Sequence, residues 1–203
     1  ALATLGTASA GGLEYNANSL YFTSTGTQRG VVPARQMFVL NTAYTGTNAT
    51  GNQSLFGLAS GVTLASSTSY AFEMGVAMSK TTGSTSHTLT LLFAGTATVG
   101  SILGVTTEGD VNGSLGTRSS AMGATAIVAN TGSVITGSMA ATNQILAFLS
   151  KGVVNITTGG TFLPAYALSA APGGAYTTAA GSYMHIYPIG AYSGANVNIG
   201  TWA

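Results

Sequence analysis

Four acidic residues, two histidines and no cysteine in 203 positions leave few groups that can do chemistry. Glu108 and Asp110 stand two apart in "TEGDVNGS", where paired carboxylates could serve acid/base hydrolysis of a glycoside. Nothing in the pattern sets the distance between the two carboxyls, and a Gly-rich surface loop is the plainer expectation. Asp110, Asn112 and Ser114 alternate like the first ligands of a calcium loop, but Ala121 occupies the place of the closing carboxylate. His87 opens a strand-like segment, and His185 alternates with Tyr183 and Tyr187 on another, so each reads as a structural imidazole with a hydroxyl partner. A metal would need further ligands, or copies of one histidine brought together on an axis between subunits. The nucleophile elbow G-x-S-x-G and the phosphate-binding G-x-x-x-x-G-K-S/T are both missing. No catalytic residue, metal or cofactor is expected.

Glu73 stands in mid-strand on a face of small residues. A buried, unpaired carboxylate there would be costly, so either the face meets solvent or Glu73 pairs with Lys80, Arg118 or Lys151. The nine tyrosines and single tryptophan are the other resource, because large rigid rings bury area at low entropic cost in sugar and protein recognition. Tyr176 and Tyr192 lie in Gly/Ala-rich segments and are the binding candidates among them.

Charged residues make up 4% of the chain, against roughly 25% in an ordinary soluble domain. With a net charge of +1 there is no field to steer nucleic acid or anionic lipid. Disorder is also a poor fit, since 45% of residues are hydrophobic and they alternate. The uncharged window from Leu89 to Val105 is broken by Thr90, Thr96, Thr98 and three glycines and does not read as a membrane span. Ala8-Ser9-Ala10 has the form of a signal-cleavage site without the preceding basic and apolar regions, and a chain opening on Ala1 is expected to be a processed or excised piece of something longer.

The hydrophobic pattern has period two throughout, which predicts an all-β fold. Tyr70 to Ser79 is the clearest strand, with Tyr70, Phe72, Met74, Val76 and Met78 on one face. Thr85 to Phe93 follows after "KTTGST", which reads as a hairpin loop joining the two strands as an antiparallel pair. Further strands are predicted at 36–40, 61–65, 98–106, 125–129, 134–140, 145–149, 153–157, 162–168 and 183–189. Their spacing suggests an antiparallel β-sandwich of jelly-roll-like form over residues 33–203. Residues 1–32 read as an appendage, a short hairpin or extended arm in which Leu13, Tyr15, Leu20 and Phe22 flank "NANS".

That opening, "AGGLEYNANSLYFTSTGTQRGVVPARQ" followed by "MFVLN", resembles a segment of tailed-bacteriophage fibre and other virion surface proteins, with a motif A-G-x-L-E-Y-[ND]-x-x-x-[LF]-Y-[FA]-T ahead of an arginine and a distal β-domain. Leu13, Glu14, Tyr15, Leu20, Tyr21, Phe22 and Arg29 match it. The stretch "TSYAFEMGVAMSKTTGSTSHTLTLLFAGTATV" and the closing "NVNIGTWA" resemble the head and C-terminal end of such proteins. The resemblance implies a trimeric, non-enzymatic module carried on the extracellular virion. Its opening segment would then lie at a shaft junction, where Glu14 and Tyr15 meet neighbouring chain and Glu14 pairs with Arg29 or Arg35. The expected role is host attachment at the tip of a fibre, through a cell-surface glycan or protein, with other virion proteins as partners. The alternative is a decoration protein that cements the capsid. A glycan depolymerase and a cellular adhesin are the readings from other classes.

Overall fold

The computed structural model describes residues 3–112 and 123–202, and these contain strands and no helix. In chain order the strands are β1 (Ala3–Thr4), β2 (Leu13–Tyr15), β3 (Leu20–Thr25), β4 (Gln28–Val32), β5 (Gln36–Val39), β6 (Tyr44–Thr45), β7 (Gln53–Ser54), β8 (Val62–Leu64) and β9 (Thr68–Lys80). They continue with β10 (Leu89–Ala94), β11 (Thr98–Asn112), β12 (Gly123–Ile127), β13 (Ser133–Val134), β14 (Gln144–Thr158), β15 (Gly160–Leu168), β16 (Thr177–Thr178) and β17 (Tyr183–Ala191).

Two antiparallel sheets form the sandwich. The larger runs β12-β11-β14-β9, and beyond β9 it divides, with β17 and β5 along one half of that strand and β16 and β6 along the other. The smaller runs β13-β10-β15-β7, with β8 also on β15. Alternation puts Tyr70, Phe72, Met74, Val76 and Met78 of β9 into the core beside Leu146, Phe148, Val154 and Ile156 of β14. Leu89, Leu91 and Phe93 of β10 come from the facing sheet, with Phe162, Tyr166 and Leu168 of β15. The sheets lock at three rings: Phe93 stacks on Phe162 at 4.7 Å and takes Phe72 on its edge at 5.3 Å.

Three sequence expectations fail, each for a local reason. First, the strands on either side of "KTTGST" belong to different sheets, so the segment crosses the sandwich instead of closing a hairpin. The Lys80 ammonium is buried at the end of β9 and donates to the carbonyls of Gly83 and Ala141 at 2.6 and 2.5 Å, with Thr82 and Thr142 at 3.4 and 3.5 Å. Gly83 has φ of 79°, and a Cβ there would collide with the Pro172 carbonyl. Second, the predicted strands at 145–149 and 153–157 are one strand, β14. Gly152 does not break it; its missing side chain lets the backbone of β11 approach at Leu103 and Gly104. Third, the 134–140 prediction shrinks to β13 and one isolated bridge between His87 and Met139.

The opening residues form a separate four-stranded sheet, β1-β2-β3-β4, with β1 parallel to β2. The predicted hairpin is its centre, pairing Leu13 with Phe22 and Tyr15 with Leu20. It is held against the head, where Asn18 donates its amide to the Thr68 hydroxyl at 2.6 Å, so this is a folded sheet and not an extended arm.

The Lys80 cage yields a test. Lys80→Met removes the donor shared by these carbonyls and is expected to lower stability by about 2 kcal/mol or more. Urea unfolding of wild type and variant, compared at one pH, checks it.

Candidate functional site

Of the four residues expected at a junction, Glu14, Tyr15 and Arg29 lie in the small sheet and Arg35 lies outside it. Glu14 on β2 accepts the Gly6 N–H at 2.9 Å and the Arg29 Nε–H at 2.8 Å, and Arg29 closes the loop by donating to the Gly6 carbonyl at 2.7 Å. These bonds, the Gly6 amide first and the Arg29 guanidinium with it, hold the Glu14 carboxyl below its ordinary range. Of the two arginines considered for Glu14, Arg29 is the partner, and the pair lies inside the sheet and not across to the head. Arg35 instead lies over the Tyr187 ring at 5.3 Å. Tyr15 is exposed together with Leu13 and Phe22, which share its face of the sheet.

Tyr176 is not a surface contact. It is fully buried, and its hydroxyl meets His87 Nε2 at 2.8 Å. A carbonyl only accepts, so the Nδ1–H of His87 donates to Thr85 O at 2.7 Å and Nε2 accepts from Tyr176. The Gly/Ala-rich segment misled because its small residues let the ring tuck inward. Tyr192 is half-buried and lies against Gly100, where a Cβ would meet the ring. The two tyrosines therefore form no shared cleft.

Glu108 and Asp110 lie on β11 and not in a surface loop, paired with Phe148 and Leu146. Glu108 is buried. Asn112 also belongs to β11, while Ser114 and Ala121 of the calcium-loop pattern and Arg118, a candidate partner of Glu73, lie outside the described residues. Among the described residues, no group of three His, Cys, Asp or Glu side chains is placed to hold a metal.

What the sandwich does expose is the outer face of its large sheet. Strand register sets Ala126, Val105, Lys151, Glu73, His185 and Met37 in one row across five strand pairs. The adjacent rows hold Leu103, Val153, Ala71 and Tyr187 on one side and Thr107, Leu149, Gly75, Tyr183 and Val39 on the other. Leu103 is 65% exposed, Met37 60% and Val128, just past β12, 69%. Between Leu103 and Tyr187 the face dips into an open groove of about 540 Å³ lined by Arg35, Glu73, Lys151 and His185.

Glu73 proves half-exposed. Its carboxylate accepts the Tyr183 hydroxyl at 3.0 Å and stands 3.7 Å from His185 Nε2, while Lys151, its direct neighbour on β14, makes no ion pair with it. The sequence shows the apolar alternation of this face in Leu103, Val105 and Leu149, but period two alone does not tell a covered face from a bare one.

Burial holds the His87 imidazole below its ordinary value, with the Lys80 charge adding to the effect and the Thr85 bond opposing it. The native state then binds fewer protons than the unfolded chain, so stability is full above the unfolded value and falls as pH drops through it. The urea midpoint of the wild type is expected to fall from about pH 7 to about pH 5, and to fall less in His87→Gln. Unfolding curves at the two pH values give the comparison.

Comparison of the chain with protein-family models, with curated proteins and with solved structures finds no match.

Proposed function

We propose that this protein is a non-enzymatic structural component of a virus particle, a β-sandwich surface module that works by protein–protein contact as a homotrimer on the particle's exterior. The observation that carries the reading is the bare outer face of the large sheet, where Met37, Leu103, Val105, Val128 and Leu149 are exposed and, among the described residues, the charged or imidazole side chains are Glu73, Lys151, Arg35 and His185. A contiguous apolar face of that kind is the mark of a contact surface, and a chain with 4% charged residues has little else to keep it soluble alone. Thr, Ser, Asn and Gly satisfy hydrogen bonds at the remaining surface without salt-sensitive charges, which suits a particle that persists outside a cell.

The position of the exposed apolar surface bears on the role. It lies on sheet faces and not in a cleft between aromatic loops, and Tyr176 is withdrawn from the surface. Both facts favour a decoration protein that cements neighbouring subunits over host attachment through loops. Attachment at a fibre tip is the second reading, supported by the opening segment and by the exposed Leu13, Tyr15 and Phe22 of the small sheet, which would suit a shaft junction.

Sedimentation of the purified chain at low concentration, together with an image of labelled protein on its particle, tests the proposal. A trimer located on the shell is expected. A stable, well-folded monomer absent from any particle contradicts it.

A further inference from the structure

The pattern of charge on the outer face identifies what covers it. Among the described residues the face carries one carboxylate, Glu73, and two cations, Lys151 and Arg35. Glu73 is 38% exposed at its side chain and, among the described residues, is met by a phenol and an imidazole. Lys151 is exposed and has no hydrogen bond or ion pair among the described residues. Arg35 is exposed and rests on the Tyr187 ring, with no ion pair among the described residues. Acid and base therefore stand side by side on an apolar field, with no Lys or Arg ion pair formed there among the described residues.

A polyanion would answer the cations but would be repelled at Glu73 and would leave Leu103, Val105 and Met37 in water. A second face of the same composition answers every element. It brings a cation for Glu73 and a carboxylate for Lys151 or Arg35, and it covers the exposed Leu103, Val105 and Met37 with apolar surface. We propose that the outer face of the large sheet is the contact between copies of this chain, registered by Glu73 of one copy against Lys151 or Arg35 of the next. This rests on the reading of the protein as an assembled subunit and adds the surface and the register.

The test uses two charge reversals on the full chain. Glu73→Lys leaves the face with cations alone, and Lys151→Glu shifts it toward acid. Each variant is expected to sediment as a monomer at a concentration where the wild type is assembled, and the double variant Glu73→Lys/Lys151→Glu, which restores the pair with its signs exchanged, is expected to reassemble. Leu103→Ser, at an exposed position clear of the core, supplies an arm that does not depend on the charge variants folding, and should weaken association by roughly tenfold or more. If the wild type assembles and all three single variants assemble equally well, or the double variant stays monomeric, this contact is wrong while the assembled-subunit reading stands. If the wild type is itself a monomer, both are wrong.

Discussion

The unbroken register between β9 and β14, from Lys80 opposite Gln144 to Thr68 opposite Ile156, decides the rest of the molecule. It forms the middle of the large sheet, so every other strand of that sheet inherits its parity. One residue of slip would carry Phe72, Met74 and Val76 to the outside and bring Glu73 into the core. Instead Phe72 reaches the Phe93–Phe162 stack of the opposite sheet, and Glu73 is left facing outward beside Lys151. The core and the candidate contact surface are two sides of one pairing.

Six of the nine charged residues fall into three places. Lys80 is buried among carbonyls where two loops meet the end of β9, and Glu14 with Arg29 closes the small sheet. Both are internal staples, whereas Glu73, Lys151 and Arg35 stand together on one apolar face. In the first two places charge fixes backbone within one copy.

Much of the architecture was legible in the sequence. The two faces of β9 follow directly from its strict alternation, and the hairpin around "NANS" and the strands at 36–40, 61–65, 162–168 and 183–189 form close to where periodicity puts them. What failed were inferences about connection and exposure. A short Gly-containing loop suggests a hairpin, but Lys80 finds its partners only in the folded molecule, across 61 residues of sequence to Ala141. Gly152 looks like a strand break until β11 is seen pressed against it. Tyr176 looks like a loop aromatic because His87, its buried partner, lies 89 residues away. The outer face was hidden for a related reason: whether an alternating strand is bare on one side depends on what the other sheet covers.

Methionine supplies a direct probe of the central claim, that the outer face is covered by other copies of the chain. Met37 projects from that face and is 60% exposed, whereas Met74 and Met78 are buried in the core of a single copy. Exposed thioethers are open to peroxide and covered ones are protected. Mild peroxide treatment followed by peptide mass analysis, at concentrations above and below assembly, reads Met37 against these internal controls. The account predicts that Met37 is protected in the assembled protein and oxidised in the dilute one, with Met74 and Met78 protected in both. Oxidation of Met37 at the same rate in both would contradict it.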